Sequence, residues 1–279
     1  MPEAWRFPEN NNRIIEAQKR GGDPGLRGPV QIDFFGHSAF RITSPMGTTL
    51  MIDPWRNDPS GACGLWFPQE FPEVYVDMVM STHAHFDHDE LYRPHAPMVL
   101  DRPAGRFVLS DVAITGLAEK HQYEAPGWYK WHNAIYEFNR DPIPPNNPMQ
   151  LDNVILVIET GGLRIAHWGD NRDKPDKHVM KALVGVDVLI LPIDESKHIL
   201  SYEQIQSIAD TLSPHVIIPC HYYTKGVNSV LSTLGTADEW VGQQPDPIRL
   251  TEGTLSLEHD EVKKMKVKII YFGSNYVSE

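Results

Sequence analysis

Short runs of alternating apolar and polar residues, separated by turn residues, fill the first third of the chain. Residues 30–35, 40–42 and 49–52 follow this two-residue period, which predicts three β-strands. Residues 74–80 are predicted to form a fourth strand. The apolar residues of 112–121 are instead spaced as on one face of a helix, so the sequence predicts a helix there.

The second half of the chain alternates predicted helices with strands that are apolar at almost every position. A capping box at Ser201 and Gln204 marks the start of one helix. Uninterrupted apolar strands between helices imply a sheet that is covered on both faces, so we predict an α/β fold. The predicted elements are hairpin strands at 154–159 and 163–167, helices at 176–184 and 201–212, and strands at 186–192 and 216–219.

The domain organisation follows from a change in composition near residue 28. Residues 1–28 are polar, and we interpret them as an N-terminal arm with a short helix near 14–19. No linker, internal repeat or low-complexity segment divides residues 29–279. We therefore expect residues 29–279 to form a single domain.

Composition and charge narrow the class of protein. The chain has 279 residues, 41% of them hydrophobic and 22% charged, which is typical of a globular protein. A net charge of −12 without a dense basic run weighs against a nucleic-acid partner. No apolar run is long enough for a membrane span, and the N-terminus does not resemble a secretory signal. With only Cys63 and Cys220 available for disulfides, we expect a cytoplasmic protein, whose sequence is compatible with a homo-oligomer.

Three of the 13 histidines lie within six residues, directly after the strand predicted at 74–80. They are His83, His85 and His88, and Asp87 lies among them. Neutral imidazole and carboxylate are ligands that suit Zn²⁺, Mn²⁺ or Fe²⁺. Packing these groups together without a cation costs solvation free energy. The segment therefore predicts a metal site on the loop that leaves this strand.

This His-x-His-x-Asp-His segment resembles the signature of the metallo-β-lactamase superfamily. The resemblance extends from about residue 30 to residue 222, and further matches follow in the family's order. It implies an αββα four-layer sandwich with the metal site at one end of the two sheets. It also implies that Asp170, in His-Trp-Gly-Asp, is a metal-bridging carboxylate, and that His221, in Pro-Cys-His-Tyr, is the last histidine ligand.

Two earlier motifs resemble one branch of that superfamily, the L-ascorbate-6-phosphate lactonase-like hydrolases. The motifs are Phe-Gly-His-Ser around His37 and Ile-Asp-Pro-Trp around Asp53. The resemblance implies that His37 contacts substrate or supports a ligand, and that Asp53 orients a ligand imidazole. The alternatives are that His37 only closes a hairpin and that Asp53 only caps a turn.

One expected ligand is missing from the segment in which the family usually supplies it. Residues 136–141, upstream of Asp170, contain no histidine. Either His132, Asn139 or Asp141 fills the role, or the first metal site is weak. In the latter case Asp87, His88, Asp170 and His221 would hold one ion. We slightly favour a single tightly bound ion, with Zn²⁺ ahead of Mn²⁺ and Fe²⁺.

The predicted ligands favour hydrolysis, because such a metal lowers the pKa of a bound water towards neutrality. Redox di-iron members of the superfamily usually carry Glu at the position of His85, which weighs against electron transfer. A proton must also reach the leaving group, and Asp87, Asp194 and His198 are the candidates. The alternative is that Asp194 and His198 belong to an ordinary polar loop.

The sequence indicates only a few candidate residues for contacting the substrate. Lys197 is a candidate for binding an anionic group, and Trp128 and Trp131 are candidates for walling an apolar pocket. The alternatives are an ordinary polar loop for Lys197 and ordinary packing for the two tryptophans. We predict a metal-dependent hydrolase of a small molecule: a lactone, an ester, an amide or an activated, for example halogenated, ring carbon. A phosphodiesterase for small phosphodiesters and a non-catalytic metal-binding scaffold are the alternatives.

Overall fold

The computed structural model describes residues 13–57, 66–122 and 152–278. These residues contain fourteen strands in two mixed sheets and five helices. The strands are β1 (Val30–Phe34), β2 (Phe40–Thr43), β3 (Thr49–Ile52), β4 (Met78–Ser81), β5 (Met98–Asp101), β6 (Gly105–Leu109), β7 (Val112–Lys120), β8 (Asp152–Thr160), β9 (Leu163–His167), β10 (Val188–Pro192), β11 (Val216–Cys220), β12 (Ile248–Arg249), β13 (Thr254–Leu257) and β14 (Lys268–Tyr271). The helices are α1 (Arg13–Arg20), α2 (Lys177–Leu183), α3 (Tyr202–Leu212), α4 (Asp238–Gly242) and α5 (His259–Val262).

The first sheet has the order β13-β1-β2-β3-β4-β5. Its strands are antiparallel from β13 to β3 and parallel from β3 to β5. The second sheet has the order β12-β14-β11-β10-β9-β8-β7-β6. It is antiparallel from β6 to β9 and parallel from β9 to β12. Both sheets therefore contain neighbouring parallel strands, whose carboxyl ends meet at one edge.

The core lies between the two sheets and beneath the helices. Ile32 and Leu50 of the first sheet belong to the same buried apolar cluster as Ile158 and Ile190 of the second. The buried faces of α2 and α3 join this cluster from outside the second sheet. This arrangement confirms the predicted αββα sandwich of the metallo-β-lactamase fold. The predicted capping box is also present, since Ser201 and Gln204 exchange hydrogen bonds at the start of α3.

The helix predicted at 112–121 is wrong, because these residues form β7. Their backbone pairs with both β6 and β8, and this pairing in the sheet overrides the helical spacing of the apolar residues. Gly116 allows a close approach at this point, because a Cβ there would lie 1.5 Å from the carbonyl oxygen of Pro103. The strand predicted at 74–80 also begins later, at Met78, and only Tyr75 of the preceding residues makes an isolated β-bridge.

The described part of the N-terminal segment packs against the rest of the chain. Ala17 of α1 is completely buried in the apolar core, and the Ser110 hydroxyl donates to the carbonyl of Gly21. The division into an arm and one domain stays a prediction. Among the described residues, no helix has both the length and the apolar character that crossing a membrane requires.

Candidate metal centre

The predicted metal ligands follow parallel strands, and strand direction brings them together. The loop from His83 to His88 follows β4, and Asp53 follows its parallel neighbour β3. In the second sheet Asp170 follows β9, and His221 follows β11, two strands away in the same parallel set. Since the carboxyl ends of parallel strands lie at one edge, this loop and the three single residues converge at one end of the sandwich.

A first group of donors consists of three imidazoles. One ligand nitrogen from each of His83, His85 and His121 lies within 4.8 Å of the others. The Asp170 carboxylate lies beside them, with its Oδ2 3.4 Å from His121 Nε2 and 3.7 Å from His83 Nε2. Three histidines and one carboxylate are a ligand set that suits a divalent transition metal. We call this group the three-histidine subsite.

A second group contains His37, Asp87, His88 and His221, whose ligand atoms also lie within 4.8 Å of one another. Asp170 is again adjacent, with Oδ2 3.1 Å from His221 Nε2 and Oδ1 3.5 Å from His88 Nε2. We call this group the aspartate subsite. Asp170 therefore lies between the two groups, where a bridging carboxylate would be required.

Several buried ligand atoms have no hydrogen-bond partner in the described part of the chain. They are Nε2 of His83, His85, His88, His121 and His221, together with Oδ1 of Asp170. Buried polar atoms are normally paired, and leaving one unpaired costs about 1–3 kcal/mol. Six such atoms facing a common centre fit divalent metal ions, which would satisfy them all.

For three of the imidazoles, hydrogen bonds on the side away from the centre fix the proton at Nδ1. His88 Nδ1 donates to Asp53 Oδ2 at 2.8 Å. The Thr82 hydroxyl donates to Asp53 Oδ2 at 2.8 Å and so must accept from His83 Nδ1 at 3.0 Å. His121 Nδ1 donates to the carbonyl of Gln122 at 2.7 Å. Each of these rings, once neutral, therefore presents the lone pair of Nε2 to the centre, as metal binding requires.

The charges in the centre are strongly coupled. Burial lowers the pKa of His221, but the carboxylates of Asp170 and Asp87 outweigh burial and raise it to about 10. Burial raises the pKa of Asp87, but His88, His221 and His37 outweigh burial and hold it well below its usual range. Burial lowers the pKa of His85 to about 3. Without a cation the aspartate subsite therefore holds carboxylates and imidazolium, whereas His85 stays neutral.

The backbone is strained at two residues of the aspartate subsite, His37 and His221, and at Asp53, which accepts from His88. His37, Asp53 and His221 have φ values of 58°, 50° and 56°, in the left-handed region that side chains other than glycine rarely adopt. The carbonyl of His37 accepts the backbone N–H of His221 at 2.8 Å, and the two ring centroids are 4.2 Å apart. Such conformations persist where the surrounding structure holds them, and they concentrate at functional sites.

The residues predicted for proton transfer lie beside the ligands. The His198 ring stacks on His221, with centroids 5.5 Å apart, and contacts Trp66 edge to face at 5.5 Å. Asp194 does not face the centre freely, because its carboxylate accepts from Ser196, from the backbone of His198 at 2.9 Å and from that of Gly235 at 3.2 Å. Asp194 thus orders the loop that carries His198.

Three further predictions concern residues that contact the site less directly. His37 Nε2 donates to Asp87 Oδ2 at 3.0 Å, so the structure places His37 against a predicted ligand. Lys197 directs its ammonium group over the ring of Tyr202, at 5.3 Å from the centroid. The predicted residues Trp128, Trp131, His132, Asn139 and Asp141 lie outside the described residues.

Sequence analysis missed His121, which the structure brings to the three-histidine subsite. The preference for one ion depends on the absence of a histidine from residues 136–141. His121, which lies outside that segment, supplies the third imidazole of the three-histidine subsite. It was overlooked because 112–121 was interpreted as a helix. As a strand, β7 is antiparallel to β8 and therefore runs in the same direction as β9. The β-branched residues of 112–115 were the signal that could have placed His121 at a strand end beside Asp170.

Comparison with known proteins agrees with this fold and site. A family model described as the Beta-lactamase superfamily domain (Lactamase_B_3) matches residues 31–221, a range that contains every donor of both subsites. The fold and the site thus define the class, the metallo-β-lactamase superfamily. Within it, the chain belongs to the UPF0173 family of metal-dependent hydrolases. It is 30% identical over 210 residues to a Thermus thermophilus UPF0173 metal-dependent hydrolase, a match covering 70% of this chain and 84% of that protein.

Solved structures share the fold at lower identity. One from Thermotoga maritima, named as a candidate Zn-dependent hydrolase of the metallo-β-lactamase superfamily, has a TM-score of 0.59 and 22% identity, covering 87% of this chain and 98% of that one. The diiron β-hydroxylase CmlA from Streptomyces venezuelae has a TM-score of 0.50 and 13% identity, covering 88% of this chain and 53% of that one. At these identities the likeness shows the fold alone, and the reaction must be argued from the site.

Proposed function

We propose that this protein hydrolyses a small molecule at a centre of two divalent metal ions, with Zn²⁺ favoured over Mn²⁺ and Fe²⁺. The observation that carries the proposal is the set of six unpaired buried ligand atoms facing one another around Asp170. His83, His85 and His121 would hold one ion, Asp87, His88 and His221 the other, and Asp170 would bridge them. When bound, such ions lower the pKa of a coordinated water and stabilise negative charge that develops on the substrate.

The substrates we propose are a lactone, an ester, an amide or an activated ring carbon, as in hydrolytic dehalogenation. Support comes from the aromatic side of the centre. Trp66 is nearly buried, and its ring contacts His37 and His198 edge to face. Phe86, on the ligand loop, packs against the same indole at 5.6 Å. Such a wall excludes water and favours an uncharged substrate.

The surrounding residues would supply orientation and proton transfer. Asp87 is the carboxylate held in the aspartate subsite by His37, and it is the first candidate for moving a proton at its Oδ2. His198 stacks on the proposed ligand His221, and burial lowers the pKa of His198 to about 3, so it stays neutral at physiological pH. A neutral imidazole in this place donates a hydrogen bond to substrate without adding charge. Asp194 would hold His198 in place through the loop backbone.

The cations described near the site give no specific support to a phosphodiesterase. Arg56 forms an ion pair with Asp89 at 3.0 Å, and Lys197 lies over Tyr202. A carboxyl ester or lactone is therefore the substrate class we favour. The cytoplasmic location and the oligomeric state stay predictions.

The function is tested by an activity panel on purified protein loaded with Zn²⁺, Mn²⁺ or Fe²⁺. The panel contains aryl esters, γ- and δ-lactones, simple amides, a halogenated aromatic and bis-p-nitrophenyl phosphate. We expect hydrolysis of an ester or lactone that is lost in His221→Ala. The matched control is His215→Asn, because His215 Nδ1 only donates to the carbonyl of Met265. Preference for the phosphodiester, or equal activity in His221→Ala, would contradict the proposal.

A further inference from the structure

His167 lies beneath the metal centre and is not one of its ligands. It is the last residue of β9 and is completely buried. Its Nε2 donates to the carbonyl of Ser38 at 3.1 Å, and Ser38 belongs to the β1–β2 turn that carries His37. Its Nδ1 accepts the backbone N–H of Gly169 at 3.2 Å, directly before Asp170. One imidazole thus links a turn of the first sheet to a loop of the second.

The two bonds determine the tautomer of this ring. A carbonyl oxygen only accepts, so Nε2 must carry the proton, and a backbone N–H only donates, so Nδ1 must offer its lone pair. Both ring nitrogens are therefore occupied by backbone groups. The role of His167 toward a metal ion must be exerted through the loops that it joins.

Each loop carries donors of the centre. Ser38 is adjacent to His37, whose carbonyl accepts the N–H of His221, so this end of the link leads to two residues of the aspartate subsite. Gly169 is adjacent to Asp170 and has little room to move. A Cβ at Gly169 would lie 2.6 Å from Asn153 Oδ1 and 2.7 Å from Thr82 Oγ1. The link therefore connects tightly packed segments on both sides.

We propose that His167 is a positioning residue that fixes the separation between Asp170 and the pair His37–His221. This inference deepens the proposed function and rests on it. Asp170 lies between the subsites, so a shift of its loop changes donor distances in both. Residues that orient metal ligands from behind typically contribute about 10- to 100-fold to metal affinity. Loss of the imidazole should weaken metal binding at both subsites, although no metal ligand has been removed.

Three variants separate the two bonds. His167→Leu removes both. His167→Asn retains an acceptor near the position of Nδ1, and His167→Gln retains a donor near the position of Nε2. Chelator competition measures the Zn²⁺ affinity, and the visible absorption of the Co²⁺-loaded protein reports ligand geometry. We expect His167→Leu to bind Zn²⁺ at least about tenfold more weakly and with an altered Co²⁺ spectrum. The Asn and Gln variants should lie between it and the wild type.

The matched control is Asp111→Asn. Asp111 is buried and also joins the two sheets, accepting from Ser44 Oγ at 2.7 Å and from the backbone of Met46 at 2.9 Å, at the opposite end of β7 from His121. This variant should lower the melting temperature without changing Zn²⁺ affinity.

The inference is overturned if His167→Leu retains the affinity and spectrum of the wild type. If that variant does not fold, wild-type behaviour of both the Asn and Gln variants overturns it. A wild-type chain that binds neither Zn²⁺ nor Co²⁺ would instead refute the proposed metal-dependent function.

Discussion

Replacing Asp53 by asparagine should damage metal binding without removing any ligand. Asp53 is completely buried, and three donors point at it. Its Oδ1 accepts the backbone N–H of Thr82 at 2.7 Å, and its Oδ2 accepts from the Thr82 hydroxyl and from His88 Nδ1, both at 2.8 Å. An amide has one oxygen, so in either orientation its NH₂ group faces at least one N–H or O–H.

The expected losses of stability and of Zn²⁺ affinity follow from these contacts. A buried donor left without an acceptor costs about 1–3 kcal/mol, which we expect as lost stability in the metal-free protein. His88 can avoid the clash by accepting from the amide at Nδ1, but its proton then moves to Nε2 and blocks the lone pair that faces the centre. Either outcome weakens metal binding, and we expect the Zn²⁺ affinity to fall by about 10- to 100-fold.

Chelator competition with Zn²⁺ measures this effect, and Asp77→Asn is the matched control. Asp77 lies at the opposite end of the same strand pair, and one of its oxygens, Oδ2, accepts from both the backbone N–H and the hydroxyl of Thr49, at 2.9 and 3.1 Å. An asparagine oxygen in this place can keep both hydrogen bonds, so Asp77→Asn should retain the wild-type affinity. A Zn²⁺ affinity of Asp53→Asn within a factor of about three of the wild type would refute the reasoning on tautomers.

Three further outcomes are expected. His198→Phe should lower kcat on the best substrate of the panel by about 100-fold while metal content stays unchanged; an unaltered kcat would remove His198 from the reaction. Metal binding at pH 7 should release about two protons per chain, because neighbouring carboxylates raise the pKa of His88 and His221 in the metal-free protein, outweighing burial. Both rings must lose a proton to bind metal, so the metal affinity should rise with pH. Titration calorimetry in buffers of different ionisation enthalpy measures the number of protons released, and a release of zero would contradict this expectation. Removing metal with EDTA should lower the melting temperature, and Zn²⁺ should restore it, because ions that bind only the folded chain stabilise it; an unchanged melting temperature would place metal outside this cluster.

Much of the centre was predictable because its ligands follow strands whose apolar character is unambiguous. The loop from His83 to His88 is contiguous, so its chemistry is visible in the sequence without knowledge of the fold. Asp170 and His221 were located through the resemblance to the superfamily. The parallel register of β9, β10 and β11 then accounts for their meeting, although 51 positions separate them in the chain.

His121 and His167 could not be predicted for different physical reasons. The role of His121 depends on β7 being a strand, and that is decided by pairing with β6 and β8 rather than by the local spacing of apolar residues. The role of His167 depends on hydrogen bonds to the backbone of Ser38, 129 positions away. Backbone partners leave no trace in residue types, so only the folded arrangement reveals them.

The occupancy of the two subsites is the most direct test of this account. Elemental mass spectrometry of the purified chain after incubation with Zn²⁺ and removal of excess metal should give about two ions per chain, and about one for His121→Ala, which loses one imidazole of the three-histidine subsite. About one ion in the wild type, with no change in His121→Ala, would show that the three-histidine subsite holds no metal. No ion in the wild type would contradict a metal-dependent hydrolase altogether.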